Sequence, residues 1–380
     1  MSGVDPSAAV AKQTKLATEI FDELYNKTFD GVGVTRASYG EGEQVASELL
    51  ESHAKKLGLV IDHDAAGNIY MTMRGESQEA PPIVIGSHID SVAQGGNFDG
   101  AAGVISGLIA CAGIIEKGIR LPQDVRVMGI RAEESAWFGV SYIGSRSALG
   151  TLPKDALDNA KRSDTGITLG EHMFKAGCNP DALRAGDIYL PPSSLKAYLE
   201  VHIEQGPVLD SKDLPLGIVT GIRGNRRLPS AQCIGEYSHC GGVPRSYRKD
   251  AVLAVTDLIS YLDKIWDECE KKGKDFAFTV GKFFTDKEWH AMTKISGAVE
   301  FSLDMRSLDG DFIETMTKRV CEEAVKIEQK RGVQFNLGDF TRAAPGPMDE
   351  QIKTRMLSGA DSLGIPYMEI ASGASHDAAA

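Results

Sequence analysis

The first 210 residues alternate short apolar runs with longer amphipathic runs. The apolar runs predict four extended segments: 60–73 with a turn at 66–68, 82–86, 124–130 and 196–202. Between them, a long apolar run predicts a buried helix over 101–117 that opens at Asp99-Gly100. Short apolar strands that alternate with helices are typical of an α/β fold with a mostly parallel sheet flanked by helices.

A different order begins near residue 213. Strands and helices follow as β-α-β-β-α-β over 216–236, 248–274, 276–284, 298–306, 312–331 and 333–340. That order is the split βαβ pattern of a ferredoxin-like domain. A helix over 349–363 and a strand over 366–371 then resume the first pattern. We therefore expect a small α+β domain (213–341) inserted between two parts of a larger one (1–212 and 342–380), and we expect the larger one to continue past Ala380.

Charge and residue composition argue against a nucleic-acid-binding, a membrane-spanning and a disulfide-linked protein. With 41 Lys and Arg against 53 Asp and Glu, the 380-residue chain has a formal charge of -12, which disfavours binding to nucleic acid or anionic lipid. The apolar run at 103–115 is too short to span a bilayer. The six cysteines form no CxxC pair, which favours reduced thiols. A cytoplasmic protein without a membrane span is expected.

Histidines and acids follow four of the predicted strands. The segments are GSHIDS (86–91) with GGNFDG (95–100), RAEE (131–134), EVHIEQG (200–206) and SGASHD (372–377). Ligands of open α/β sheets bind at the carboxyl ends of the strands. Imidazole and carboxylate groups gathered at that edge indicate a hydrolytic metal site.

Each segment alone has a simpler interpretation. A single His88 is more often a loop histidine, and Glu133-Glu134 is usually a solvated pair. The glycines of 95–103 could form a phosphate loop, but no Gly-Lys-Ser/Thr follows and Asp90 and Asp99 would repel phosphate. Agreement among four strand ends favours the metal site. Four other histidines have no such context and are interpreted as surface or structural: His53, His63, His172 and His290.

From about residue 15 onward the chain resembles the hydantoinase/carbamoylase amidohydrolases, which belong to the superfamily of dinuclear-zinc aminoacylases and carboxypeptidases. The motifs that carry the resemblance are GSHIDSVAQGGNFDG (86–100), EES (133–135), LEVHIEQGPVLD (199–210), GIVTGI (217–222), H-x-G-x-x-P (239–244), DMR (304–306) and SGASHDA (372–378). The resemblance implies a zinc-exopeptidase-like catalytic domain with an inserted lid and dimerisation domain. It also implies a homodimer formed through that lid.

Residue roles follow from the resemblance. It implies two divalent metal ions bridged by Asp99, one also bound by His88 and His202 and the other by Glu134 and His376. Zinc is expected first, although manganese, cobalt and nickel also suit these ligands. Asp90 would orient the His88 imidazole. Glu133 would be the general base that deprotonates the attacking water and later protonates the leaving nitrogen.

The substrate contacts are implied in the same way. His239 would reach the neighbouring subunit's site and stabilise the oxyanion. Arg306 would hold the substrate carboxylate, and Gln205 would face the substrate. Thr293 stands where the family usually has a substrate-binding Asn. Two further departures are Trp137, after the Glu-Glu pair, and the lid segment Cys240 to Arg245.

The sequence therefore predicts a metal-dependent amidohydrolase that cleaves a linear C–N bond, with an N-carbamoyl or ureido group on a small carboxylic acid as the expected substrate. An N-acyl amino acid amidase or dipeptidase with the same metals is the enzymatic alternative. A binding protein that kept the fold without catalysis is the alternative from another class. The presence of Glu133 argues against it, because a binding protein needs no base.

Overall fold

A computed structural model describes residues 6–380 and divides the chain into two compact units. Unit one comprises residues up to Gly206 together with His376–Ala380, and unit two comprises Pro207–Ser375. None of the helices among the described residues is long and apolar enough to cross a membrane. All six cysteines are free thiols.

Unit one is built on a five-stranded sheet in the order β1-β2-β4-β3-β5. Its strands are β1 (Val60–His63), β2 (Ile69–Met73), β3 (Ile83–His88), β4 (Val125–Ile130) and β5 (Ala197–Leu199). Strands β4, β3 and β5 are mutually parallel neighbours, whereas β1 and β2 join antiparallel. The sheet is therefore mixed, and its parallel part is confined to the three strands that lead into the predicted site.

Helices cover this sheet. They are α1 (Ser7–Ala11), α2 (Thr14–Thr28), α3 (Glu41–Lys56), α4 (Ala101–Glu116), α5 (Ser135–Phe138), α6 (Ile143–Ala148), α7 (Ala156–Asn159), α8 (Leu169–Lys175) and α9 (Pro180–Arg184), with 3-10 turns at Pro192–Ser194 and Asp377–Ala379. The largest core of unit one joins apolar side chains of α2, α3 and α4 to the sheet, with Ile20, Leu50 and Leu108 fully buried. Burial of that apolar surface holds the strand ends in place.

Unit two contains an antiparallel sheet with the core order β10-β12-β7-β13, to which β9 and β14 add. The elements are α10 (Val208–Ser211), β6 (Leu216–Ile222), β7 (Gly224–Ile234), β8 (Ser238–His239), α11 (Ala251–Lys271), β9 (Ala277–Thr279), β10 (Phe283–Thr285), β11 (Lys294–Ile295), β12 (Ala298–Ser307), α12 (Gly310–Arg331), β13 (Gln334–Asn336), β14 (Thr341–Ala343), β15 (Gly346–Pro347), α13 (Glu350–Leu363) and β16 (Tyr367–Ser372), with a 3-10 turn at Arg245–Tyr247. Helices α11 and α12 pack on this sheet around a core that includes Leu258, Val320 and Phe301. The order and the two helices agree with the predicted ferredoxin-like pattern.

The division into units differs from the predicted boundaries. Residues 207–212 and 342–375 group with unit two. Within 342–375, β15 and β16 both pair with β6 in a separate three-stranded sheet. The assignment of 342–375 to the catalytic domain stays a prediction. Two predicted strands are also interrupted: 216–236 divides at Arg223, and 276–284 divides into β9 and β10. The predicted strand 196–202 ends at Leu199, which leaves His202 in a loop.

Candidate metal centre

The parallel strands of unit one bring the predicted site residues to one edge of the sheet. His88 is the last residue of β3, Glu133 follows β4 by three residues, and His202 follows β5 by three. Because β4, β3 and β5 run parallel in that order, their carboxyl ends lie side by side. This is the edge at which open α/β sheets bind ligands.

His88, Asp99 and His202 converge closely. The two Nε2 atoms lie 3.3 Å apart, and Asp99 Oδ1 lies 3.7 Å from His88 Nε2 and 3.3 Å from His202 Nε2. Two imidazole nitrogens and a carboxylate oxygen directed at one point are the donor set that zinc and related divalent ions bind. The residues present therefore fit the metal that the sequence predicts.

Glu133 and Glu134 form a second group with His88. Among residues 6–380, the metal-binding donor atoms that lie within 4.8 Å of one another form these two groups, His88-Asp99-His202 and His88-Glu133-Glu134. His376 lies next to the first group, since its ring centroid is 4.1 Å from that of His202. All five predicted ligands thus gather in unit one, while the predicted pairing of Glu134 with His376 on one ion stays a prediction.

The electrostatics of this cluster favour a cation. Burial alone would lower the pKa of His88, but its hydrogen bonds to Asp90 and Asp99 raise that pKa well above the ordinary value. Burial lowers the pKa of His376 to about 3 and also lowers the pKa of His202, which favours the neutral imidazole form that binds a metal ion. Burial raises the pKa of Glu133, and the neighbouring carboxylates add to that effect. A carboxylate held at high proton affinity beside ligand donors is what a general base requires.

Asp90 links the histidine to the base. Its side chain is fully buried, and its Oδ1 atom accepts the backbone N–H of Glu133 at 3.0 Å and lies 3.3 Å from His88 Nδ1. Oδ2 accepts from Ser38 Oγ at 2.6 Å and from the backbone N–H of Glu134 at 3.2 Å. The predicted contact with His88 is therefore present, together with contacts to the Glu-Glu pair that sequence reasoning missed.

Arg36 and Gly100 shape the loop that carries Asp99. Arg36 is fully buried, and its guanidinium donates to the backbone carbonyls of Ile89 at 2.7 Å and Asp99 at 3.1 Å. Gly100 has φ +63, and a Cβ there would lie 2.5 Å from the His88 ring, so only glycine fits. Arg36 was missed because its partners lie more than 50 residues away in the sequence.

Two further acids, the half-buried Glu200 and the buried Asp377, anchor the segment that bears His376. Glu200 accepts from Ser87 Oγ and from the backbone N–H of Ala378, both at 2.8 Å. Asp377 accepts from Ser145 Oγ at 2.6 Å.

Gln205 is exposed and donates to both oxygens of Asp99, at 3.3 and 3.1 Å. The residue expected to face the substrate therefore contacts a predicted metal ligand in this structure.

In unit two, the backbone fixes the tautomer of His239. The exposed imidazole accepts the N–H groups of Gly241 at 3.2 Å and Gly242 at 3.1 Å on Nδ1. Since a backbone N–H can only donate, the neutral ring carries its proton on Nε2 and presents a donor there. Thr293 lies beside it, because Lys294 pairs with His239 and the Thr293 carbonyl accepts from Cys240 at 3.0 Å.

Arg306 lies on β12 and is held by its neighbours. Nε and Nη2 donate to Asp304, the latter at 2.8 Å, and Nη1 donates to the carbonyl of Gly373 at 2.5 Å. Arg227 donates to the same Asp304 at 2.9 Å. The guanidinium is about one-third exposed, so it is oriented by Asp304 and still accessible to an anion.

Trp137 and the Cys240 to Arg245 loop, which depart from the family pattern, are held by contacts with nearby residues. The indole N–H of Trp137 donates to the Ser91 carbonyl at 2.8 Å, and Arg162 lies 5.5 Å above its ring. Arg248 closes the Cys240 to Arg245 loop by donating to the carbonyls of Cys240 and Val243. These residues stabilise the loops that carry site residues.

Comparison with known proteins places the chain among hydrolases. The model of peptidase family M20/M25/M40 matches residues 84–380. An N-carbamoyl-L-amino acid amidohydrolase of Geobacillus stearothermophilus is 35% identical over 345 residues, which is 91% of this chain and 82% of that protein. An allantoate amidohydrolase of Bacillus subtilis is 29% identical over 355 residues, covering 93% and 83%. The crystal structure of a hydantoinase/carbamoylase family amidase from Burkholderia ambifaria matches with a TM-score of 0.84 and 29% identity, covering 96% of this chain and 86% of that one.

Proposed function

This chain belongs to peptidase family M20/M25/M40, in its hydantoinase/carbamoylase branch, and from that premise we propose that it is a metal-dependent amidohydrolase acting on a ureido C–N bond. The substrate class is an N-carbamoyl amino acid or a related small carboxylic acid. In the carbamoyl case, the ureido compound and one water give the amino acid, ammonia and carbon dioxide. The observation that carries the proposal is the gathering of His88, Asp99, Glu133, Glu134 and His202 at one sheet edge.

The metal centre would be held by five side chains: His88, Asp99, His202, Glu134 and His376. We propose two divalent ions, zinc first among them, since imidazole and carboxylate donors also suit manganese, cobalt and nickel. Such ions, when bound, polarise a carbonyl and acidify a water molecule. The dense carboxylates around His88 support cation binding here.

Glu133 has the position and the environment of the general base. It is 9% exposed, it lies within the same cluster as the proposed ligands, and its raised pKa suits both proton uptake and proton return. It would take a proton from the attacking water and deliver it to the leaving nitrogen. An amino acid nitrogen is a poor leaving group until it is protonated, so the second transfer is as necessary as the first.

Two residues of unit two complete the proposal. The Nε2–H of His239 is a hydrogen-bond donor suited to an oxyanion. The guanidinium of Arg306 suits a substrate carboxylate, which it could bind through two parallel hydrogen bonds. We propose a cytoplasmic homodimer formed through the inserted domain, in which His239 serves the partner's site.

A hydrolysis panel tests the function and its alternative together. The purified, metal-loaded protein is assayed with N-carbamoyl amino acids, N-carbamoyl-β-alanine, allantoate and ureidoglycolate, and with N-formyl and N-acetyl amino acids. Release of ammonia from at least one ureido acid, with weaker cleavage of the N-acyl compounds, is the expected result. Cleavage of N-acyl compounds alone would make the chain an amidase or dipeptidase. Absence of all cleavage at full metal occupancy would overturn the proposal.

A further inference from the structure

The segment that contains the proposed base is held by hydrogen bonds to its backbone, at both its N–H groups and its carbonyl groups. Four consecutive N–H groups are accepted by buried side chains: Arg131 by Asn68 Oδ1 at 2.9 Å, Ala132 by Glu43 Oε1 at 2.8 Å, Glu133 by Asp90 Oδ1 at 3.0 Å and Glu134 by Asp90 Oδ2 at 3.2 Å. Each of these acceptors comes from a distant part of the sequence. The N–H groups of this segment are therefore bound by three side chains rather than by a regular strand or helix.

The carbonyl groups of the same segment are also bonded. The N–H groups of Gly144, Ile143 and Tyr142 donate to the carbonyls of residues 131, 132 and 133, at 2.9, 3.0 and 2.9 Å. Gly144 permits this approach, because a Cβ there would lie 2.2 Å from the carbonyl oxygen of Arg131. These three hydrogen bonds fix the alignment of residues 131–133 with residues 142–144.

Ala132 is the strained member of this segment. Its φ is +54, in the left-handed region that a residue with a Cβ adopts at a steric cost, and its side chain is fully buried. Such a conformation persists only where the surroundings impose it. The carboxylate of Glu43 bonds the N–H of this residue and therefore contributes directly to imposing it.

Glu43 also fixes the residue before Ala132. The carboxylate is 0% exposed, and its Oε2 atom accepts Arg131 Nε at 2.6 Å and the backbone N–H of Tyr39 at 2.7 Å. The Arg131 guanidinium is itself buried and lies 5.1 Å from the centre of the Tyr39 ring. One carboxylate in the first turn of α3 thus holds the side chain of Arg131 and the backbone of Ala132 at once.

We propose that Glu43 is a positioning residue for the reaction: it holds Ala132 in its left-handed conformation and so sets the direction in which Glu133 and Glu134 leave the strand. The inference rests on the function proposed above. Glu43 acts through the backbone, without contact to substrate. A misplacement of about 1 Å at a reacting group can cost on the order of 100-fold in rate, which is the scale of effect that such a residue can control.

The strand that carries the segment offers a matched control. Asp124, just before β4, is 2% exposed and accepts Arg74 Nη1 at 2.7 Å and the backbone N–H of Gly75 at 2.8 Å. Its chemistry therefore parallels that of Glu43, since each buried carboxylate accepts from one arginine and from backbone N–H groups, one for Asp124 and two for Glu43. Asp124 is at the amino end of the strand, opposite the edge that carries the site.

The test compares Glu43→Gln with Asp124→Asn. The glutamine amide has one acceptor oxygen for three donors, so its NH₂ group must face an N–H. We expect Glu43→Gln to lower kcat by about 10- to 100-fold per metal-loaded, folded subunit, with KM within about threefold of the wild type. Hydrogen exchange measured by mass spectrometry should show loss of protection across 131–134. Asp124→Asn should lose stability but keep kcat and the protection of that segment.

The outcomes separate this inference from the proposed function. Unchanged kcat and unchanged exchange at 131–134 in folded Glu43→Gln would overturn it, as would an equal loss of kcat in Asp124→Asn. If Glu43→Gln does not fold, Glu43→Asp keeps the charge but ends one methylene short, and we expect a smaller loss of kcat with faster exchange at Ala132. Unchanged values there would also contradict the inference. Exchange needs no substrate, so an inactive wild type would overturn the function and leave the positioning of 131–134 measurable.

Discussion

The Oδ1 atom of Asp90 accepts the backbone N–H of Glu133 at 3.0 Å. The same oxygen lies 3.3 Å from Nδ1 of His88, so one buried carboxylate aligns a proposed metal ligand with the proposed base. This single side chain therefore contributes to the spacing between the proposed metal ligand and the proposed base. Contacts of this kind beyond the ligands orient a metal site as much as the ligands do.

Replacing Asp90 tests this link. In Asp90→Asn, an NH₂ group replaces one of the two acceptor oxygens. If it replaces Oδ1, it faces His88 and the N–H of Glu133; if it replaces Oδ2, it faces the N–H of Glu134. We expect metal affinity to fall by about 10- to 100-fold, the range found when such partners of ligand histidines are lost. Competition with a chromophoric chelator measures it. Ser38→Ala, which removes one donor to the other oxygen, should change affinity less. Equal affinity in Asp90→Asn and wild type would contradict the account.

Arg306→Ala tests recognition of the acid. A charge-assisted hydrogen bond contributes about 1.5–3 kcal/mol, so kcat/KM for an acid substrate should fall by roughly 10- to 150-fold. The neutral amide analogue should lose much less. Arg306→Lys should recover only part of the activity, because an ammonium group cannot make the two parallel hydrogen bonds. Arg227→Ala is the matched control, since Arg227 also donates to Asp304. Equal losses on acid and amide would mean that Arg306 does not bind the carboxylate.

The proposed dimer predicts complementation between two inactive variants. A heterodimer of His239→Ala and Glu133→Gln contains one site with both an intact base and an intact partner histidine. Mixing the variants should therefore restore part of the wild-type activity, while each variant alone stays weak. Subunit exchange is verified by native mass spectrometry. Confirmed exchange without recovered activity would show that His239 serves its own subunit or has no catalytic role.

The alternation of apolar and polar residues predicted much of the fold. Strands β3 and β4 and helix α4 lie within two residues of their predicted bounds, because buried elements carry continuous apolar runs. The pattern could not show that β1 and β2 run antiparallel, since pairing direction depends on contacts between strands. Residues 216–236 were predicted as one strand, which the structure divides at Arg223.

The site was predictable only in part. His88, Asp99, Glu133, Glu134 and His202 follow strands that the sequence reveals, and the structure gathers them. Glu43, Asn68 and Arg36 carry no local signal, because their roles arise from contacts with residues 53 to 89 positions away. From the sequence alone, a buried charged residue in an amphipathic helix cannot be distinguished from a surface residue, because the residue that pairs with it is unknown. His239 and Arg306 were found through the family resemblance, not through the pattern.

Turnover of a ureido acid by Glu133→Gln at known metal content shows whether Glu133 transfers the protons of the reaction. The amide keeps the size of the side chain and removes its ability to accept a proton, while the proposed ligands are unchanged. We expect metal content and thermal stability close to wild type, with kcat lowered by about 100-fold or more. Wild-type turnover in Glu133→Gln with both metal sites filled would contradict the account, because the proton transfers would then belong to another group.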